Sequence, residues 1–317
     1  MMMNEANVKG CFKRTGLAAW VAAMLLSASF ISNASSADSP KTFSSSKEAA
    51  DALVKASQAN DTKTLLLLFA PNGKDLIESG DPADDAQSRA RFTAAAHKKM
   101  DLVPDPSDPN KIFVSVGDED WPFPVPLIEK NGLWMFDSSE GQQEVLARYI
   151  GAHELTAIEI CRGYVEAQNQ FAQTHLSKGM PEYAQKLVSS PGKQDGLYWD
   201  SKNGELPPPI AADFAQAAHR MASGERKPYH GYYFHILTAQ GPDAHGGAKN
   251  YIADGAMTGG FALVAWPAKY GETGVQTLIV NQDAIVYQTN LGADTDKKAP
   301  ELTQFNPDSS WTEVKPE

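Results

Sequence analysis

The chain has 317 residues, a formal net charge of −11, 42% hydrophobic and 9% aromatic residues, and two cysteines. That length supports one large domain or two ordinary ones, with cores that need no disulfide staples. The composition excludes a disordered chain, and the acidic balance argues against nucleic acid and anionic lipid, which select basic surfaces.

Lys9, Lys13 and Arg14 precede an apolar run from Leu17 to Ile31, and the small residues SNASSADSP follow. Basic, apolar, then small is the order of a secretory signal peptide, with cleavage expected after Ala34 or Ala37. A membrane span needs about 20 apolar residues, so this run predicts no stable anchor once it is cleaved. Removing residues 1–37 takes away a net +2, leaving −13 and one cysteine, Cys161. The expected location is the periplasm or the exterior.

After this segment, Ser44–Ser46 offer a helix cap ahead of an apolar stripe at Ala49, Leu53, Val54 and Ala56. Asp61 caps a second short helix that Pro71-Asn72-Gly73 stops. A further helix is expected from about Asp84 to Met100, acidic at its start and basic at its end. VPDPSDPN, from Val103, reads as a loop. Lys111–Gly117 reads as a strand. PFPVPLIEKNGLWMFD reads as a hairpin turning at Asn131-Gly132, with Pro122, Pro124 and Pro126 marking its first arm as an edge strand. Asp118, Glu119 and Asp120 read as a solvated turn.

A long helical stretch follows from about Glu140 to Leu176, with Gly151 expected to divide it. Ile150, Leu155, Ile158, Cys161, Val165 and Phe171 mark its core face. Another short helix is expected over Ala211–Met221. The last third predicts four strands: GYYFHILTA, GGFALVAW, GVQTLIVN and AIVYQTN. The fold class is therefore α+β. N-terminal helices with a small curved hairpin sheet (38–138) precede a long helix packed on a four-stranded antiparallel meander (139–317).

The segment from Lys227 to Gly247 concentrates three of seven histidines. His230 and His235 are five apart, so in a strand they point to opposite faces. His245 lies in a loop. No HxH, HxxxH or CxxC pair occurs, so neither a metal site nor another cofactor is expected. Cys161 sits on the apolar helix face and reads as an inert thiol. ADTDKK, from Ala293, begins like a calcium loop but places Lys298 where a third carboxylate belongs. No GxSxG, Walker or GxGxxG motif appears.

The run from PYHGYYFHILTAQGPDAHGG through FALVAWPAKYGETGVQTLIVNQDAIVYQTNLG, with DGLYW and EICRGYVEAQNQFA upstream, closely resembles the DUF2950 family of exported bacterial proteins. The resemblance covers nearly all of the chain after residue 37. It implies no catalytic residue, cofactor or substrate. The family usually has glycine in the NQDAIVY turn, where this chain has Ala284, so a different turn type is open there. At fold level, the C-terminal part looks like type IV pilin-like globular domains and the N-terminal part like NTF2-like domains. Such likeness carries no function.

The leading expectation is an exported, non-catalytic envelope protein with a binding or scaffolding role. Its partner is an envelope glycan or protein that the sequence does not identify. The candidate binding residues are Tyr229, Tyr270 and Trp266, aromatics read as lying in connections of the meander. The alternative is a metal-independent hydrolase using His230 or His235 with Asp243 or Asp254. An enzyme would gather a histidine and a carboxylate in one concavity.

Overall fold

A computed structural model describes residues 39–78, 82–201, 206–212, 214–215 and 228–315. The expected signal peptide, 1–37, lies outside the described residues, as does most of the helix expected over Ala211–Met221.

The N-terminal unit opens with α1 (Ser46–Gln58), α2 (Thr62–Leu68), α3 (Gly73–Ile77) and α4 (Pro82–Lys98). Ser45 caps α1 by accepting the Glu48 N–H, and the Glu48 side chain reaches back to the Ser44 N–H. Asp61 caps α2 in the same way through Thr64. These caps satisfy donors that the first helical turn leaves open.

The sheet beside these helices runs β1 (Met100–Asp105), β2 (Asp108–Val116), β4 (Leu127–Lys130), β5 (Leu133–Phe136), with β3 (Trp121–Pro122) also on β2. Two expectations change here. VPDPSDPN is not a loop; most of it forms the turn and arms of the β1–β2 hairpin. Pro104 is tolerated because β1 is an edge strand, where a missing N–H need not break a ladder. Conversely, β4 is not an edge: it begins after the proline run and lies between β2 and β5. Asn131 and Gly132 take φ values of 54° and 76°, the left-handed pair that a tight hairpin turn requires. Phe43, Leu53, Leu65, Leu68, Val114, Leu127 and Phe136 fill this core.

α5 (Ser138–Thr174) joins the two parts as one helix of 37 residues. Gly151 does not divide it. Nothing stands within 4 Å of where its Cβ would be, and a lone glycine costs only about 1 kcal/mol among good helix formers. The first turn of α5 belongs to the N-terminal core: Ser138 and Gly141 are buried, and a Cβ on Gly141 would overlap Val125. Its second half carries Ile158, Cys161, Tyr164, Val165 and Phe171 into the other core. Leu155, expected on that face, is instead exposed.

After α5 come two short hairpins, β6 (Leu176–Ser177) with β7 (Met180–Pro181), and β11 (Ile252–Ala253) with β12 (Ala256–Met257). A third pair joins β9 (Ala239–Gln240) to β10 (Lys249–Asn250). The main C-terminal sheet is antiparallel. Its order is β8 (Tyr232–Leu237), β13 (Ala262–Pro267), β14 (Thr277–Asn281), β15 (Val286–Thr289), β16 (Thr312–Glu313). It therefore has five strands; the expected four gain β16 at the β15 edge. Every residue of β13 and β14 is buried, as a strand covered on both faces requires. α5 covers one face. The other is covered by the C-terminal segment with α6 (Thr295–Lys298), whose Thr295, Ala299 and Phe305 are buried.

Candidate binding groove

The expected site residues do not meet. In β8, Tyr232, Phe234 and Ile236 are buried while Tyr233 and His235 are less so, so the two faces separate as the strand period requires. His230 precedes β8 in a turn with φ 44°. His235 pairs across the sheet with Val264; its position on the strand is exposed, and desolvation by neighbouring groups lowers its pKa from the ordinary imidazole value. Asp254 sits in the β11–β12 turn and is ion-paired to Lys178 at 2.7 Å. Asp243 bonds to Asn306. No hydrogen bond or ion pair joins any two of His230, His235, Asp243 and Asp254.

The three aromatics also separate. Trp266 is not in a connection; it lies within β13, 6% exposed, with its ring 5.8 Å from that of Tyr233. Buried there, its indole offers little surface to a ligand. Tyr229 is half-buried against the Phe214 ring at 5.2 Å. Tyr270 alone is exposed, in the Lys269–Gly274 turn.

What the fold does gather is a groove of about 560 Å³ at the far end of the sheet. It is lined by Asp243, His245, Asn281, Asp283, Ile285, Tyr287, Phe305 and Pro307. Three distant segments build it. Gly241 N–H donates to the Phe305 carbonyl and Phe305 N–H to the Ala239 carbonyl, which locks the C-terminal segment beside the 241–247 loop. Buried Gln240 donates to the carbonyls of His245 (2.9 Å) and Gly247 (2.6 Å), and accepts from the Tyr251 hydroxyl at 2.9 Å. Burial pushes that tyrosine up to about 12. The loop is thus held from inside the core, with His245 exposed at its tip.

A second groove, about 330 Å³, lies beside Phe171, His175, Tyr183 and Lys186. At its rim Lys186 donates to Ser190 Oγ and to Asp195, both at 2.8 Å, and Asp195 accepts the Ser190 N–H at 2.7 Å. The Lys186 bond, and then the Ser190 N–H, hold the Asp195 carboxyl well below the usual range. A lysine ion-paired in this way donates and does not serve Ser190 as a base; the cluster clamps its loop. Cys161 is fully buried, and desolvation pushes its thiol up to about 12. Among the described residues, no group of three His, Cys, Asp or Glu side chains could hold a metal ion. Among the same residues, no helix is long and apolar enough to cross a membrane.

Over residues 40–314 the chain matches the family described as protein of unknown function (DUF2950). The chain belongs to the DUF2950 family. No curated protein and no solved structure matches it.

The position where the DUF2950 resemblance expects glycine, Ala284, has φ 61°. The turn thus keeps a left-handed residue, and alanine bears there a strain of about 1 kcal/mol that glycine escapes. The WPAKYGETG stretch also finds its place, at a corner away from the groove. His153 Nδ1 lies 3.1 Å from the Thr273 carbonyl, and Glu154 accepts the Val275 and Gln276 N–H groups at 2.8 and 3.0 Å. The α5 helix thereby fastens the β13–β14 connection. The groove residues Asn281, Asp283 and Tyr287, and the Asn306 bonded to Asp243, were not expected from the sequence. The one local signal for them is Asn281 and Asp283 two apart at a strand end, a spacing that favours side-chain-to-backbone turns.

Proposed function

We propose that the chain is an exported, non-catalytic binding protein of the bacterial cell envelope. It holds its ligand in the groove lined by Asp243, His245, Asp283 and Tyr287. One observation carries this reading. The groove sets polar side chains from two distant segments against an apolar wall from a third, and a buried glutamine fixes the loop that presents Asp243 and His245. Concave surface with a few fixed polar groups is what small ligands require. The hydrolase alternative has less support. Its two histidines and two carboxylates lie apart, and none of the groove's carboxylates hydrogen-bonds His245.

The test is retention of the purified chain, freed of residues 1–37, on isolated envelope material. Ile285 lines the groove and is 36% exposed, so Ile285→Trp fills part of the groove without adding charge and with little effect on the core. Most of the retention is expected to disappear in that variant, with circular dichroism unchanged. Equal retention of variant and parent would refute the groove as the binding site. Turnover of ester or amide reporter substrates, lost in His245→Ala, would refute the non-catalytic reading.

A further inference from the structure

We infer that the groove recognises an aliphatic ammonium group, an amine carried on an apolar stem. The inference rests on the groove being the binding site proposed above and names the chemistry of its ligand.

The two groove carboxylates are held in the same way. Asp243 donates its backbone N–H to Asn306 Oδ1 at 2.9 Å, and Asn306 Nδ2 donates to Asp243 Oδ2 at 2.8 Å. Asp283 donates its backbone N–H to Asn281 Oδ1 at 3.1 Å, and Asn281 Nδ2 donates to Asp283 Oδ2 at 3.2 Å. Each asparagine is a neutral clamp. It fixes the carboxylate's rotamer without neutralising it, and the second oxygen of each carboxylate has no hydrogen-bond partner among the described residues. Side chains ordered before binding lose less entropy when a ligand arrives.

Among the described residues neither carboxylate is ion-paired to a lysine or arginine. Elsewhere in this half of the chain Asp195 pairs with Lys186, Asp254 with Lys178, Glu272 with Lys269 and Asp294 with Lys297. Among the described residues the groove lining contains no lysine or arginine. Besides His245 and the Asn281 clamp, its lining is apolar: Ile285, Phe305, Pro307 and the Tyr287 ring, which packs on Phe305 at 5.9 Å between centroids.

Charge and shape together select the ligand. An ammonium group has three donors and no acceptor, and ionised carboxylates only accept. Its methylene stem lies on apolar surface while its head reaches charge, and an aromatic face attracts the cation further. An anion is repelled, and a neutral polyol leaves both charges unmatched. A single metal ion is disfavoured because, among the described residues, no three suitable side chains are grouped around one point. The same chemistry has two sources: a free polyamine, or the lysine-type side chain of a cell-wall peptide.

Isothermal titration of the chain lacking residues 1–37 with spermidine tests the inference. Retention on cell-wall material before and after N-acetylation of its amines separates the sources. Spermidine is expected to bind, about tenfold more weakly in Asp243→Asn and again in Asp283→Asn, as loss of one charged hydrogen bond implies. Binding also weakens as salt rises from about 20 to about 500 mM, because both carboxylates are exposed. If acetylation abolishes wall retention, the amine is the wall's; if spermidine binds and acetylation changes nothing, it is a free polyamine. Silence with spermidine, or equal binding by the double variant, overturns the ammonium inference. If Ile285→Trp still loses wall retention in that case, the groove reading survives alone; if it does not, both fall.

Discussion

A Cβ on Gly274 would overlap the hydroxyl of Tyr232. That hydroxyl donates to the Gln276 carbonyl at 3.0 Å, and burial, with Glu154 nearby, raises its pKa far above the ordinary phenol. The glycine is there for room, since the tyrosine ring is fully buried and cannot retreat. Gly274→Ala is expected to destabilise the protein by about 2 kcal/mol or more, the order seen for overpacked sites. Urea unfolding measures it, and a loss below about 0.5 kcal/mol, the scale of ordinary surface changes, would contradict the argument.

Trp266 and Tyr270, four residues apart, give opposite outcomes. Trp266→Ala empties a site in the central strand and is expected to cost about 3–5 kcal/mol. Tyr270→Ser removes an exposed ring and is expected to stay within about 0.5 kcal/mol of the parent. Thermal melts of the two variants decide it. A Trp266 variant as stable as the parent would return that indole to the list of ligand contacts.

Cys161 is expected to resist a thiol reagent in native protein and to react at once in denaturant. Its side chain is inaccessible, and the neutral thiol is favoured by burial. The labelling rate therefore reports opening of the C-terminal core. Stoichiometric labelling of native protein within seconds would mean that α5 leaves the sheet far more readily than its packing implies.

His235 is expected to add a small pH dependence to stability near neutrality, small because its position on the strand is exposed. Desolvation disfavours its charged form, so the unfolded chain binds this proton more readily than the folded one. Its contribution is complete above the ordinary histidine value and declines as pH falls through it towards the lowered folded value. The melting temperature should drop between about pH 7 and about pH 5.5, and His235→Gln should shrink the drop. Below about pH 4 a separate loss is expected, as Asp195 and the other hydrogen-bonded carboxylates are protonated. An identical profile in the His235 variant would remove this group from the account.

The order of helices and strands was legible because apolar spacing is local. Ala49, Leu53 and Ala56 betray α1, and the alternation Tyr232, Phe234, Ile236 betrays a strand with one buried face. Val103–Asn110 misled because three prolines outweigh strand propensity unless the strand is known to lie at an edge, and edge position is a property of the whole sheet. Trp266 misled for a related reason: the proline after it reads as a connection, and only the covering of both faces of β13 shows it as core. The groove was hidden more deeply. Asp243 meets Asn306 because the bonds of Phe305 to Ala239 and Gly241 hold the two segments side by side, and no spacing in the chain announces that contact. Asp243 was singled out as a partner for a histidine, but asparagine is what holds it.

The uninterrupted α5 has a mechanical consequence. Its 37 residues span about 55 Å, with one end embedded in each core. A single rigid rod leaves no joint at Gly151 about which the halves could swing, so a force or a docking event at the N-terminal sheet is transmitted as rotation of the whole groove. Spin labels placed one on β5 and one on β15 would then report a single narrow distance, and capture of a ligand would reorient the N-terminal half as one piece.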